Sequence, residues 1–222
     1  MMNKQKQHQT EKILRAAPVV PVMVIEDFAQ AVPLARALVK GGLPVLEITL
    51  RTASALDAIR AIIAGVEGAI VGAGTVLSPV QLEMVAEAGC AFAVSPGSSP
   101  LLLDAADKIE MPLLPGGVTA TEVMALLERG YHFQKFFPAE PAGGTAYLAS
   151  LAQPLPQVKF CPTGGINAAL APSYLKLPNV ITLGGSWMAP KAMMAAGDWA
   201  GIEKLARDAA ALASANTSDH VA

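Results

Sequence analysis

The chain has 222 residues, of which 53% are hydrophobic, enough for one large domain or two small ones with a sizeable core. Its 16 basic and 18 acidic side chains give a net charge of −2 without a basic run, which argues against a nucleic-acid-binding protein. The mean hydropathy is +0.44, but the strongest early apolar run, residues 16–25, is ten residues long and contains two prolines. Because a membrane-spanning helix needs about 20 apolar residues, no membrane association is expected.

The first 12 residues are polar, and we expect them to form a tail that precedes the folded domain. They lack the apolar segment of a secretory signal, so a cytoplasmic protein is expected. From residue 13 onward, short apolar runs alternate with amphipathic stretches, which is typical of repeated βα units and a parallel sheet. Asp27, Ser78 and Thr119 are placed to begin helices. The eight predicted strands cover residues 19–24, 45–50, 69–74, 92–95, 112–115, 133–137, 159–162 and 180–183.

Glycine turns end five of these strands at a spacing of about 20 residues per unit. Eight such units predict a single-domain α/β protein, a (β/α)8 TIM barrel over residues 13–210, for which about 200 residues is the lower limit. An open doubly wound sheet is the alternative. It is disfavoured because residues 72–77 lack the third glycine of a dinucleotide fingerprint. Residues 211–222 have no strong apolar period, and we expect them to be a mobile tail.

The cysteines and histidines indicate no metal chemistry. Cys90 and Cys161 lie in apolar surroundings, and two isolated cysteines in such a chain are expected to be reduced packing residues. His8, His132 and His220 form no cluster with metal-ligand spacing. Neither a metal nor another cofactor is therefore expected.

Lys135 is the most informative residue, because three of the six phenylalanines lie within the five positions 133–137 around it. Apolar surroundings disfavour a charged amine and leave a neutral one that attacks carbonyl groups. The segment therefore indicates a lysine that forms a Schiff base. The alternative is a lysine at a strand end whose ammonium reaches water. Lys159 is placed at the opposite end of its strand, at the bottom of the barrel. Lys191 is among the lysines of the tail, loops or polar helix faces, which are assigned solvated roles.

Polar residues near the ends of other strands share the parity that points into a barrel. Glu47, Thr49 and Arg51 alternate on the second strand, whose other face is apolar. Thr75 ends the third strand and Thr163 ends the seventh. These side chains are expected to meet at one catalytic mouth. A Glu47–Arg51 ion pair that only closes a barrel layer is the alternative.

The glycine turns after the last two strands lie where many barrels bind phosphate through backbone N–H groups. Glycine allows a ligand to approach the backbone closely. A phosphorylated substrate is therefore expected. The turns read Gly164-Gly165 and Gly184-Gly185-Ser186.

Seven segments in order resemble the class I 2-keto-3-deoxy-6-phosphogluconate aldolases, also called 4-hydroxy-2-oxoglutarate aldolases. The likeness extends over residues 17–207. The segments are Pro18-Val19-Val20-Pro21-Val22, Leu46-Glu47-Ile48-Thr49-Leu50-Arg51-Thr52, Val71-Gly72-Ala73-Gly74-Thr75-Val76-Leu77, Ser95-Pro96-Gly97, Lys135-Phe136-Phe137-Pro138-Ala139-Glu140, Phe160-Cys161-Pro162-Thr163-Gly164-Gly165-Ile166 and Gly184-Gly185-Ser186-Trp187.

The resemblance implies a metal-independent aldolase that forms an imine and releases pyruvate, and it implies a homotrimer. It makes Lys135 the Schiff-base lysine and Glu47 the general acid/base. The remaining implied roles are binding of the substrate carboxylate by Arg51, Thr75 and Thr163, shaping of the pocket by Pro96 and Phe137, and binding of phosphate by Gly164, Gly165, Gly184, Gly185 and Ser186.

Two other function classes fit the same residues. A barrel isomerase or decarboxylase would act on a sugar phosphate without an imine, and a non-catalytic sensor would only bind a phosphorylated acid. The sensor does not explain a lysine beside a carboxylate in an apolar strand. A metal-dependent pyruvate aldolase is disfavoured because the sequence shows no ligand cluster.

Overall fold

Strands and helices alternate along the chain, as the pattern of apolar residues predicts. The computed structural model describes residues 4–212. The strands in this part are β1 (Val19–Met23), β2 (Val45–Thr49), β3 (Ile70–Gly74), β4 (Phe92–Val94), β5 (Leu113–Leu114), β6 (Phe133–Phe136), β7 (Lys159–Pro162) and β8 (Leu183–Gly185). The helices are α1 (Lys4–Leu14), α2 (Ala31–Lys40), α3 (Ala55–Gly65), α4 (Pro79–Glu87), α5 (Pro100–Ala106), α6 (Ala120–Glu128), α7 (Gly144–Ser150), α8 (Ala171–Leu175), α9 (Lys191–Ala196) and α10 (Trp199–Ala210). Within residues 4–212, no helix combines the length and apolar character needed to cross a membrane.

The strands pair in parallel to form two sheets. One has the order β5-β4-β3-β2-β1-β8, and the other contains β6 and β7. Isolated parallel bridges join the segments of the two sheets, including one between Gly116 and Lys135 and one between Thr163 and Gly184. The chain is therefore an α/β domain with a curled parallel sheet.

The (β/α)8 TIM barrel predicted from the sequence is confirmed only in part. All eight strands are present, but they do not form one continuous hydrogen-bonded sheet. The break between β5 and β6 has a local cause. β5 ends at Leu114, and the next residue, Pro115, has no N–H to donate to a neighbouring strand. Two backbone hydrogen bonds still connect this segment to β6: Lys135 donates to the Pro115 carbonyl at 2.8 Å, and Gly117 donates to the Lys135 carbonyl at 3.0 Å.

β8 lies further along the chain than predicted and overlaps the predicted range 180–183 only at Leu183. Gly184 and Gly185 pair with Val20 and Pro21 of β1, so this glycine segment begins as strand rather than turn. The apolar pattern misplaced β8 because glycine is uncommon inside strands, where it has no side chain to pack.

The predicted helix starts are confirmed with one adjustment. Ser78 accepts a hydrogen bond from the Gln81 N–H at the start of α4, and Thr119 forms a reciprocal capping box with Glu122 at the start of α6. Asp27 caps a single 3₁₀ turn, Phe28–Gln30, that precedes α2. These caps satisfy N–H groups that the first turn of a helix leaves without partners.

The amino-terminal segment differs from the polar tail expected for residues 1–12. Lys4–Leu14 is a helix, and Lys6 is buried with its ammonium donating to the Ala106 carbonyl at 2.9 Å. Ile13 and Leu14 join a cluster with residues near the starts of strands, so α1 covers the amino-terminal end of the sheet interior. This packing was not predicted from the sequence because polar side chains occupy buried positions of the helix. At the other end α10 finishes at Ala210, and residues 213–222 of the expected mobile tail lie outside the described residues.

Candidate active site

Lys135 and Glu47 form an ion pair inside the sheet. The Lys135 ammonium donates to Glu47 Oε1 at 3.0 Å, and the two side chains are 5% and 4% exposed. The Phe137 ring centroid lies 5.5 Å from Lys135 Nζ. The alternative in which Lys135 reaches water is therefore wrong. The Glu47–Arg51 ion pair is also absent among the described residues, because Glu47 pairs with the lysine instead.

The position of Glu47 depends on a glycine of the neighbouring strand. In the β2–β3 register Gly74 pairs with Thr49, two residues beyond Glu47. A Cβ added to Gly74 would lie 2.2 Å from Glu47 Oε1, far inside van der Waals contact. β8 repeats the arrangement, since a Cβ on Gly184 would lie 2.1 Å from Thr163 Oγ1. Small residues thus leave room in the sheet interior for the polar side chains.

Arg51 and Thr75 meet at the ends of β2 and β3. Arg51 Nε donates to Thr75 Oγ1 at 3.1 Å. Thr75 has φ = 59°, the left-handed region that a β-branched residue rarely adopts. Conformations of this kind cost about 1–3 kcal/mol and cluster at functional sites. The strained backbone here presents a hydroxyl to the guanidinium, which remains exposed at the mouth of the sheet.

A cavity of about 320 Å³ opens at the carboxyl ends of the strands. It is large enough for a small phosphorylated acid, since ligand pockets typically begin near 300 Å³. Nine of the twelve residues predicted for the site line it: Arg51, Lys135, Phe137, Thr163, Gly164, Gly165, Gly184, Gly185 and Ser186.

Glu47, Thr75 and Pro96 are not among the residues that line the cavity. Glu47 adjoins it through its hydrogen bond to Lys135, and Thr75 adjoins it through Arg51. Pro96 instead packs against the backbone that follows β5, where a Cβ on Gly116 would lie 2.2 Å from the Pro96 carbonyl oxygen.

The residues predicted to bind phosphate all line this cavity. Gly164 and Gly165 have φ of +103° and +81°, conformations that glycine adopts without strain. Gly184 and Gly185 form the end of β8, and Ser186 follows directly. The sequence predicted two glycine turns here. In the structure, Gly164-Gly165 is a turn, whereas Gly184-Gly185 is the end of a strand.

The comparison with protein families agrees with this arrangement of residues. Residues 10–205 match the model of a family described as the KDPG and KHG aldolases. The chain belongs to the KDPG and KHG aldolase family. The abbreviations stand for 2-keto-3-deoxy-6-phosphogluconate and 2-keto-4-hydroxyglutarate, the latter another name for 4-hydroxy-2-oxoglutarate.

Individual relatives cover nearly the whole chain. It is 53% identical over 199 residues to the KHG/KDPG aldolase of Escherichia coli K12, covering 90% of this chain and 93% of that protein. The KDPG aldolase of Legionella pneumophila, solved with pyruvate captured as a covalent carbinolamine, superimposes with a TM-score of 0.88 at 44% identity and covers 90% and 97% of the two chains. The KDPG aldolase of Zymomonas mobilis ZM4, solved with 3-phosphoglycerate, gives 0.87 at 50% identity over 91% and 95%.

Two residues that support the Gly164-Gly165 turn of this aldolase-family chain were missed from the sequence. The Glu140 N–H donates to the Gly164 carbonyl at 3.0 Å, and a Cβ on Gly165 would lie 2.7 Å from Glu140 Cβ. The hydroxyl of Tyr174, a fully buried residue of α8, donates to Glu140 Oε1. Burial raises the pKa of the Tyr174 phenol, and the hydrogen bond to Glu140 and its negative charge raise it further. The phenol therefore stays protonated and acts as the hydrogen-bond donor. The position of Glu140 five residues after Lys135 in the sequence was the one observation that could have suggested a role for Glu140 in the site.

Lys191 was assigned a solvated role, and its side chain is 84% exposed, but it also lines the cavity. It follows Ser186 by five residues and forms an ion pair with Glu26, whose Oε1 lies 2.9 Å from Lys191 Nζ. Both residues belong to segments that follow strands, Glu26 after β1 and Lys191 after β8. Parity arguments do not extend to such segments, so no sequence signal placed Lys191 here.

Cys161 pairs with Lys135 in the β6–β7 register. Burial raises the pKa of its thiol to about 12, an effect that the nearby Lys135 ammonium opposes. The residue therefore packs as a neutral thiol, as the sequence predicts. Within residues 4–212, no group of three His, Cys, Asp or Glu side chains is placed to hold a metal ion.

Proposed function

We propose that this protein is a class I aldolase. It cleaves 2-keto-3-deoxy-6-phosphogluconate to pyruvate and glyceraldehyde 3-phosphate, and 4-hydroxy-2-oxoglutarate to pyruvate and glyoxylate. The observation that carries the proposal is the buried Lys135–Glu47 pair, with its 3.0 Å hydrogen bond, beside a cavity that Lys135 lines. Membership of the aldolase family and the carbinolamine captured in the Legionella pneumophila enzyme support it.

Lys135 supplies the nucleophile. Glu47 accepts a proton from the Lys135 ammonium, and the neutral amine adds to the C2 carbonyl to give a carbinolamine. Loss of the C2 hydroxyl as water leaves a protonated imine. The positive nitrogen then accepts the electrons of the C3–C4 bond when that bond breaks.

Glu47 moves the protons of the later steps. Through a water, its carboxylate removes the proton of the C4 hydroxyl, and the C3–C4 bond breaks to give glyceraldehyde 3-phosphate and the enamine of pyruvate. Protonation at C3 and hydrolysis of the imine release pyruvate and restore Lys135. General acid/base catalysis of this kind contributes about 10²–10⁴ in rate.

Arg51, Thr75 and Thr163 bind the carboxylate of the pyruvyl group in this proposal. The planar guanidinium of Arg51 matches a carboxylate better than a lysine would. Its hydrogen bond to Thr75, at 3.1 Å, supports a fixed orientation. Thr163 is buried and lines the cavity.

The phosphate binds against the backbone of Gly164, Gly165, Gly184 and Gly185 and the hydroxyl of Ser186. All five residues line the cavity, which supports this assignment. Phe137 shapes the apolar wall, in keeping with its ring 5.5 Å from Lys135 Nζ. Pro96 acts more remotely, through the segment that follows β5.

Closure of the strands into a complete (β/α)8 barrel and assembly into a homotrimer also belong to the proposal. The isolated parallel bridges between the two sheets support closure. Exposed apolar side chains on or beside α4 and α5 support assembly: Leu77, Val80, Met84 and Leu101. Light scattering that gives the mass of a monomer would contradict the trimer. A cytoplasmic location stays a prediction from the sequence.

Trapping with borohydride tests the proposed chemistry. Reduction in the presence of pyruvate converts the imine to a stable secondary amine on the lysine. We expect mass spectrometry of the digested protein to locate the pyruvyl adduct on Lys135, with no adduct on Lys159 in the same sample. Pyruvate release without any adduct on Lys135 would overturn the imine mechanism in favour of an aldolase or decarboxylase that works without it.

A further inference from the structure

We propose that Lys191 is a specificity-determining residue that pairs with the phosphate of the substrate and makes the enzyme prefer phosphorylated keto acids. The inference rests on the aldolase function proposed above. Its starting observation is that Lys191 lines the same cavity as Lys135 and the glycine residues assigned to phosphate.

The phosphate-binding residues named so far carry no positive charge. They offer backbone N–H groups and one hydroxyl, whereas a phosphate monoester carries about −1.5 to −2 charges at neutral pH. Three cationic side chains line the described cavity: Arg51, Lys135 and Lys191. Arg51 is hydrogen-bonded to Thr75 and is assigned to the substrate carboxylate. Lys135 is hydrogen-bonded to Glu47 and is assigned to the reacting ketone.

Lys191 is the cation that remains for the phosphate end. It lies five residues beyond Ser186, and the Ala189 N–H donates to the Ser186 carbonyl at 3.1 Å, so a tight turn folds the segment back. A lysine suits this role because its ammonium is a point charge on a flexible stem and binds phosphate from many directions.

The present partner of Lys191 is weakly held. The Lys191–Glu26 pair spans 2.9 Å, but its side chains are 84% and 69% exposed. Ion pairs this exposed contribute little to stability, because both charges remain solvated and are screened by salt. A phosphate dianion therefore competes with the Glu26 carboxylate for the ammonium at little cost.

The two substrates differ in whether they reach this cation. The phosphorylated six-carbon acid extends from Lys135 to the glycine residues at the end of β8. The shorter 4-hydroxy-2-oxoglutarate has no phosphate to place there. Loss of Lys191 should consequently lower the preference for the phosphorylated substrate through KM, with kcat little changed.

The test compares both substrates in a coupled assay for pyruvate release by the full chain. We expect Lys191→Met to lower the ratio of kcat/KM for phosphorylated over unphosphorylated substrate by about threefold to tenfold. Lys191→Arg should keep most of the preference because the charge remains. Glu26→Gln, which removes the competing carboxylate, should raise the ratio.

Lys204→Met is the matched control, since Lys204 is also largely exposed, pairs with Asp208 on α10 and does not line the cavity. Equal ratios for Lys191→Met and Lys204→Met would overturn the inference, as would an equal loss on both substrates or a fall in the ratio with Glu26→Gln. The effect should also shrink with added salt, because salt weakens an ion pair between solvent-exposed charges. Pyruvate release by the unaltered protein tests the aldolase function separately.

Discussion

Glu47 on β2 occupies the space that any side chain at position 74 of β3 would need, because a Cβ on Gly74 would lie 2.2 Å from Glu47 Oε1. The carboxylate in turn lies 3.0 Å from Lys135 Nζ. A glycine that makes no chemical contribution therefore leaves the space through which the proposed base reaches the proposed nucleophile.

Gly74→Ala should lower kcat by about 10²-fold or more, because displacement of Glu47 removes the general acid/base contribution. Steady-state pyruvate release measures the loss, and circular dichroism verifies that the variant folds. Gly65→Ala is the control: its Cβ would meet the Val32 methyl groups at 3.6 Å, an ordinary contact. Similar activity in both variants would show that Glu47 tolerates the displacement.

The sequence predicted that Lys135 and Glu47 lie close together because side chains alternate between the two faces of a strand with a period of two. Lys135 and Glu47 are 88 positions apart, yet inward parity on two strands was enough to bring them together. Arg51, Thr75 and Thr163 followed from the same rule. The alternative, an ion pair between Glu47 and Arg51, was wrong. Strand parity predicts which face of the sheet a side chain lies on, but it does not predict which side chains on that face form an ion pair.

Lys135→Met should destabilise the protein by about 3–5 kcal/mol, because it leaves the Glu47 carboxylate buried without a counter-charge. The double variant Lys135→Met with Glu47→Gln should recover most of that loss, although both proteins are inactive. Urea denaturation measures the free energies of unfolding. The exposed pair Lys204–Asp208 supplies the control, since its removal should cost about 1 kcal/mol or less. Equal stability of the single and double variants would contradict the argument.

Features without an apolar period in the sequence were not predictable in this way. α1 buries Lys6 and Thr10, so its polar sequence concealed a packed helix. β8 runs through Gly184 and Gly185, which carry no apolar pattern. Lys191 reaches the cavity from a segment whose course depends on tertiary contacts. Local periodicity contains no information about such segments.

Thr75→Gly should be more stable than Thr75→Ala. Both remove the hydroxyl that accepts the hydrogen bond from Arg51, so both should raise KM for substrate. Only glycine relieves the positive φ of 59°. Thr75→Gly should therefore be the more stable by about 1 kcal/mol in thermal or urea unfolding, the reverse of the order at most positions. A more stable alanine variant would show that the backbone relaxes without glycine.

Tyr174→Phe should raise KM for the phosphorylated substrate by about threefold, because Glu140 loses the hydrogen bond that holds it against Gly165. Tyr131→Phe is the control, since Tyr131 is also buried, whereas the hydrogen bond to Glu140 belongs to Tyr174. Neither tyrosine lines the cavity. The effect on 4-hydroxy-2-oxoglutarate should be smaller. A loss of the same size on both substrates, or with both variants, would indicate a general loss of packing instead.

Cys90 and Cys161 should resist alkylation in the folded protein. Burial raises the pKa of each thiol to about 12, and for Cys161 the Lys135 ammonium only partly opposes that shift. At pH 8 about one thiol in 10⁴ is then ionised, and the thiolate is the species that reacts. Iodoacetamide followed by mass spectrometry should show little modification before denaturation and two modified cysteines in urea. Rapid modification of Cys161 in the native protein would show that the interior around Lys135 opens to solvent.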